Sequence, residues 1–360
     1  MPTRDEIINT IKDLIRFKTI VDNHDEFTRC GNYIREFFKG NGYVREFEKD
    51  EVTSLLVTRD GNLKPRVLIA CHMDVVPADA TMFEPRLDED KLFGRGAYDD
   101  KGPLALAMHL VREMISEGHD TALLITGDEE KGGFRGARHV MDNGLRPEFA
   151  IAIDGGGPNK YVVKSKGILQ LKLTSEGNEA HGSRPWEGYN AIEALIEDLR
   201  KIKNMFPWSD DEKHWHTTAN IGKIEGGDAI NKVPGKAEAW IDIRYIEDDN
   251  PDTLIEKIED AIKSDFKVLM KEPCFLTNKD DENIKQLVAI SEEVYGEVPE
   301  ITVAHGGSDA RHLTGIPTVI TNLAGEGMHS DNECLHISSV NKLYDLLKKF
   351  ITEKEKSRKD

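Results

Sequence analysis

The chain has 360 residues, enough for more than one domain, and its 38% hydrophobic and 32% charged residues are the composition of a soluble globular protein. Its formal net charge of −18 speaks against nucleic acid and anionic membranes as partners, since both need clustered Lys and Arg, while an acidic cleft suits divalent cations. Cys30, Cys71, Cys274 and Cys334 form no CxxC pair and no disulfide framework, and no run approaches the roughly 18 apolar residues of a membrane span, so a cytoplasmic protein is expected.

Thr3 and Glu6 have the spacing of a capping box, and Ile7, Ile11, Leu14 and Ile15 then recur at helical spacing. From residue 53 short apolar runs alternate with helical segments. SLLVT (54–58), RVLIA (66–70), ALLIT (122–126) and EFAIAI (148–153) predict buried strands, and 102–116 and 133–142 predict helices. This alternation defines an α/β fold, a mostly parallel sheet flanked by helices.

Near Lys166 the texture shifts. KGILQLKLTSEG (166–177) alternates with period two, a helix follows over about 190–204, and TTANIGKIEGG and KAEAWIDIRYI alternate again. Asn250 suits a helix N-cap and Pro251 the first helical position. The β-α-β-β-α run predicts a small α+β domain over 167–272, inserted between catalytic parts at 1–166 and 273–360. In the last part VAISEEVYG is helical, PTVIT (317–321) is a buried strand, 338–351 is an amphipathic helix, and EKEKSRKD is a solvated end.

The charges at the strand ends carry the chemistry. RVLIA runs into His72-Met73-Asp74, ALLIT into Gly127-Asp128-Glu129-Glu130, FAIAI into Asp154, and PTVIT runs on to His329-Ser330-Asp331. Ligands of open α/β sheets bind outside the carboxyl ends of the strands. Carboxylates crowded there repel each other, and a divalent cation removes that cost. Asp99 and Asp100 at the entrance of a helix disfavour a phosphate in the preceding glycine-rich loop and favour a metal. Asp74, two residues beyond His72 on an extended chain, fits the carboxylate that fixes a ligand imidazole, with a simple turn residue as the competing reading. Glu129 and Glu130 diverge as neighbours do, so one ligand and one general base is the economical division.

The ordered set HMDVVP, GRGAYDDKGPLA, TGDEEKGG, AIDGG, AHGSRP, NKVP, DIR, GGSDAR and MHSDNE resembles the di-zinc metallopeptidase family of aminoacylase, acetylornithine deacetylase, succinyl-diaminopimelate desuccinylase, glutamate carboxypeptidase and the carnosine-type dipeptidases. The resemblance spans nearly the whole chain. It implies a zinc-peptidase-like catalytic domain with an inserted lid, often also the dimerisation surface. It implies two divalent ions, zinc first with manganese or cobalt as alternatives. His72 and Asp154 would hold one ion, Glu130 and His329 the other, and Asp99 would bridge them. Asp74 would orient His72, and Glu129 would be the general base. The Asp99–Asp100 peptide would be cis.

The resemblance further implies that His181 stabilises the oxyanion, commonly from the partner subunit of a homodimer. Asn231 and Arg244 would contact substrate, and Arg311 would grip its carboxylate. The implied reaction is hydrolysis of an amide bond in a small peptide by metal-activated water, with N-acyl-amino-acid deacylation as the alternative. Asp154 and DDKGP lean towards the peptidases, and GGSDAR leans towards the deacylases. A two-metal phosphoesterase is disfavoured because no basic cluster accompanies the acids, and a non-catalytic relative because the ligand set is complete.

Overall fold

The computed structural model describes residues 2–207, 209 and 214–356. The chain divides into two units, one of Met1–Lys164, Thr277–Ala304 and Ser308–Asp360 and one of Ser165–Leu276 with His305–Gly307.

The larger unit is built on a central sheet. Its strands run in the order Tyr43–Lys49, Val52–Thr58, Thr121–Thr126, Val67–His72, Phe149–Ala152, Thr318–Ile320 and Lys160–Ser165, and Glu300–Ala304 pairs with the last of these. Val67–His72 pairs in parallel with Thr121–Thr126 and with Phe149–Ala152, which pairs in parallel with Thr318–Ile320. The apolar runs form these strands because they are covered on both faces: every residue of Val67–His72, Thr121–Thr126 and Phe149–Ala152 is buried. The helix Lys101–Ser116 packs against them, with Leu104 through Leu110 and Met114 in the core. The first helix, Arg4–Ile15, carries the capping box expected at Thr3 and Glu6 and buries Ile7, Ile11, Leu14 and Ile15.

Several elements depart from the sequence reading. The helix His24–Phe38 is additional, and the segment expected to be helical over 133–142 narrows to Ala137–Asp142. A small antiparallel sheet joins Arg86–Asp88, Lys91–Phe93, Gly325–Glu326 and Cys334–His336. The last helix runs over Ser338–Lys356, beyond the expected 351, so the predicted solvated end falls partly within it and partly, over 357–360, outside the described residues. No helix among the described residues is long and apolar enough to cross a membrane.

The smaller unit is a four-stranded antiparallel sheet in the order Thr218–Gly226, Lys236–Tyr245, Gly167–Glu176 and Asp265–Glu272, the last strand being one more than the sequence reading held. Alternation does the work here. Leu169, Leu171 and Leu173 lie opposite Ile243, Ile241 and Ala239, and this face packs with Leu195, Leu199 and Ile202 of helix Ala191–Met205 and with Leu254 and Ile258 of helix Pro251–Ala261. Asn190 and Asn250 cap the two helices with their side-chain oxygens, and Pro251 follows at the first turn.

Asp198, on the first of these helices, is buried, and one of its oxygens accepts the amides of Lys263 and Ser264 at 2.9 and 2.8 Å and the Ser264 hydroxyl at 2.8 Å. Burial alone would raise its pKa, but these donors and Lys201 outweigh burial and lower it. Because the folded value lies below the unfolded one, the stabilisation is present at neutral pH and is lost as pH falls below the ordinary value of 3.8. Asp198→Ala is expected to cost about 2–3 kcal/mol at neutral pH by leaving the two amides unpaired, and less in acid. Denaturant titrations of both proteins at pH 7 and at pH 3 check this; an equal cost at both values would contradict it.

Candidate metal centre

The parallel strands end at one edge of the sheet, and each delivers a polar group there. His72 is the last residue of its strand and fully buried. Its Nδ1 lies 3.0 Å from the backbone carbonyl of Asp74 and 3.5 Å from the Asp74 carboxylate. A proton on Nδ1 given to that carbonyl leaves the Nε2 lone pair facing outward. Nε2 lies 3.0 Å from one Asp99 oxygen and 3.9 Å from Asp154. The Asp74 carboxylate meanwhile accepts the backbone amides of Glu129 and Glu130 at 3.2 and 3.0 Å. It therefore fixes the turn after Thr126 as well as lying beside His72.

Asp99 stands on the loop before helix Lys101–Ser116. Glu333 accepts the amides of Tyr98 and Asp99, both at 3.1 Å, and forms a buried ion pair with Arg95. Asp100 turns the other way and accepts the His72 amide at 2.9 Å, tying the loop to the sheet. The Asp99–Asp100 peptide is cis. Gly102 is required by contact, since a Cβ there would lie 2.1 Å from the Ala97 carbonyl oxygen. His329, at φ +62°, stands between the short strands Gly325–Glu326 and Cys334–His336. Its Nε2 lies 2.9 Å from the second Asp99 oxygen and 3.2 Å from Glu130.

Two triads result, His72–Asp99–Asp154 and Asp99–Glu130–His329, each with its ligand atoms within 4.8 Å of one another. Ligand atoms bonded tetrahedrally at about 2.0–2.1 Å stand roughly 3.3 Å apart, and the observed separations of 2.9 to 3.9 Å bracket that value. Asp154 Oδ2 is buried without a hydrogen-bond partner, and Glu130 Oε1 accepts no hydrogen bond although His329 Nε2 stands 3.2 Å away. Each of the two donor sets, with Asp99 common to both, fits a divalent cation.

The electrostatics agree. Burial pushes Asp154 and Glu129 well above the usual carboxylate range, and Asp154 adds to the rise at Glu129. Burial likewise raises Glu130 and takes Asp309 up to about 7. Asp99 goes the other way: burial opposes its charge, but hydrogen bonds from His329 and His72 prevail and lower it. At His72 burial also opposes the charge, yet Asp74 and Asp99 hold the imidazole protonated well above its ordinary value.

The remaining expected site residues are not members of the two triads. In the smaller unit His181 is exposed on Ala180–His181, which pairs with Lys232–Val233, and Asn231 is adjacent, its carbonyl accepting the Gly182 amide at 2.7 Å. Arg244 is bonded to Asp242 at 2.8 Å through Nε. In the larger unit Arg311 is buried, its Nε donating to the Ser308 carbonyl at 3.0 Å. Sequence alone gives no task to Arg95, Glu333 and Asp309, which hold the loops of the site, and gives Asp100 only a place beside Asp99 at the helix entrance. All four lie inside quoted motifs, so a signal was there, but only contacts reveal the task.

Residues 68–353 match the family described as Peptidase family M20/M25/M40, and the chain belongs to it. A succinyl-diaminopimelate desuccinylase of Rickettsia felis is 28% identical, covering 96% of this chain and 99% of the relative. Among solved structures, a tripeptidase of Staphylococcus aureus is similar with a TM-score of 0.81 at 23% identity, covering 98% and 99% of the two chains. A metallo-carboxypeptidase of Sulfolobus solfataricus is similar with a TM-score of 0.80 at 16% identity, covering 96% and 98%. The chain is thus an enzyme of a metal-dependent hydrolase family that includes peptidases and desuccinylases.

A ligand imidazole must be neutral, whereas His72 is held protonated without a cation. Metal loading at pH 7 is therefore expected to release protons, and affinity is expected to fall as pH is lowered. Calorimetric titration of chelator-treated protein with zinc, in two buffers of different ionisation enthalpy, measures the release. Heats that do not depend on the buffer would contradict it.

Proposed function

We propose that this chain hydrolyses the amide bond of a small peptide, as a dipeptidase, aminopeptidase or carboxypeptidase, with Glu129 as general base. The observation that carries the reading is the pair of triads sharing Asp99, beside a separate carboxylate at Glu129. In this reading His72 and Asp154 hold one ion, Glu130 and His329 the other, and Asp99 both. When bound, the ions lower the pKa of a water and polarise the scissile carbonyl, and zinc is the first candidate with manganese or cobalt behind it.

The chain's own residues do the rest. Glu129 takes a proton from the attacking water and returns it to the leaving amine nitrogen. The hydrophobic and carboxylate neighbours of Glu129, among them Ala152 and Asp154, support its role, because they favour the protonated form it must pass through. Asp74 orients His72 and fixes the Glu129–Glu130 amides. Arg311, anchored through Nε, offers its fork to a substrate carboxylate, and Asn231 and Arg244 supply further contacts. His181 stabilises the oxyanion from the partner subunit of a homodimer; sedimentation that found a fully active monomer would remove that assignment.

A second reading, N-acyl-amino-acid deacylation, is favoured by the name of the curated relatives, succinyl-diaminopimelate desuccinylase. Both break an amide with the same groups. A panel of di- and tripeptides beside N-acetyl and N-succinyl amino acids, with zinc, manganese or cobalt, separates them. Glu129→Gln is expected to retain two ions per chain and lose about 10²- to 10⁴-fold in kcat on whichever substrate is cleaved. Wild-type turnover in that variant would defeat the mechanism.

A further inference from the structure

The turn that bears Glu129 and Glu130 is closed by its own backbone, the Gly132 and Gly133 amides donating to the Glu129 and Asp128 carbonyls at 2.8 and 2.9 Å. The single helical turn Glu129–Lys131 runs into Gly132 at φ +98° and Gly133 at φ +70°, a pair whose backbone is intrinsically loose. The Asp74 carboxylate grips the near side through the amides of Glu129 and Glu130. On the far side lies the short helix Asp309–His312.

His312 Nε2 stands 2.7 Å from the Gly132 carbonyl oxygen, and its ring packs on Phe134 with centroids 5.6 Å apart. Burial brings the His312 pKa down to about 4, so the neutral ring has one proton, and the carbonyl places it on Nε2. Asp309, three residues earlier, accepts the Thr126 hydroxyl at 2.6 Å, on the strand residue that leads into the turn. Its other oxygen fills the space where a Cβ on Gly133 would stand, 1.9 Å away. The segment is thus bonded at Thr126 before the acidic pair and at Gly132 after it, with Asp309 packed against Gly133.

We infer that His312 is a positioning residue for Glu129, its hydrogen bond to the Gly132 carbonyl adding a side-chain tie to a glycine turn otherwise closed by its own backbone and by Asp74. This rests on the reading of Glu129 as general base. A base displaced by about 1 Å loses on the order of 100-fold in rate, so a single bond at the glycine end of the turn has leverage on turnover. Arg311, assigned to the substrate, is anchored at the Ser308 carbonyl and not through this bond, so the loss is expected on kcat rather than KM.

The test compares His312→Leu and His312→Met, which lack a donor, with His312→Gln, whose amide nitrogen reaches about as far as Nε2. Assayed at saturating metal, the donorless variants are expected to lose roughly 10- to 100-fold in kcat with KM within about twofold, and the Gln variant to recover most of the loss. Placed in the Glu129→Gln background, His312→Leu is expected to bring no further loss, because the base it positions is already gone. Gly133→Ala, which drives Asp309 off the turn, should reproduce the kcat defect if the residue-312 variants fold poorly. Equal losses in the Leu and Gln variants, or wild-type kcat in the donorless ones while Glu129→Gln is inactive, would overturn the assignment and leave the base intact. Full turnover of Glu129→Gln alone would remove the base, and the assignment with it.

Discussion

The cost of burying like charges governs this molecule. Asp74, Asp99, Asp100, Asp128, Asp154 and Asp309 are gathered with Glu129, Glu130 and Glu333 around the carboxyl edge of the central sheet, largely out of water. The chain meets that cost in two ways. Asp74, Asp100, Asp128 and Glu333 accept backbone amides, and in doing so they fix the loops that those amides belong to. Asp99, Glu130 and Asp154 face imidazoles across short gaps instead. In the first group burial still raises Asp100, Asp128 and Glu333, and in the second the two imidazoles lower Asp99 while Glu130 and Asp154 stay raised. In the proposed reading, support and ligand differ in the kind of donor each carboxylate meets.

That distinction explains how much was legible beforehand. Buried parallel strands are apolar runs, so a charge straight after such a run is conspicuous, and His72, Glu130 and Asp154 stand out on that basis. The amphipathic strands of the smaller unit show equally well, because Gly167–Glu176 and Lys236–Tyr245 alternate in burial almost residue by residue. The edge strand Asp265–Glu272 escaped notice: its inward residues are only half-buried, and a register shift interrupts its pairing. Strands of two or three residues, such as Gly325–Glu326 and Cys334–His336, have no periodicity to detect. Yet they set the backbone on either side of His329. The helix His24–Phe38 is different, since Phe27, Cys30, Ile34 and Phe38 repeat at helical spacing and the signal was simply not taken up. Positioning contacts such as Arg95 with Glu333 join residues more than two hundred positions apart and have no signature in spacing.

In the proposed reading the reacting groups all come from strand ends and loops of the larger unit, while the residues assigned to substrate are divided, Arg311 in the larger unit and the others in the smaller. The residues assigned to substrate include His181, Asn231 and Arg244 on the short strands, turns and sheet of the smaller unit. A fold shared at 16–23% identity carries neither an activity nor a substrate by itself, and the hydrolase class rests on the family match over residues 68–353.

The discontinuous larger unit has a consequence for how the chain is made. The strand Thr318–Ile320 is inserted between Phe149–Ala152 and Lys160–Ser165, and helix Ser338–Lys356 adds Val340, Leu343, Leu347 and Phe350 to the core begun by the first helix. A nascent chain emerging from its N-terminus can close the smaller unit, whose sheet and helices all lie within 165–276, well before the larger one is whole. Until the last segment arrives, the central sheet keeps an unpaired edge beside Phe149–Ala152 and an uncovered apolar face. Contacts between residues so distant in sequence form slowly, and exposed strand edges invite association with other chains. The half-made enzyme is thus at its most vulnerable late in synthesis, when most of its residues already exist.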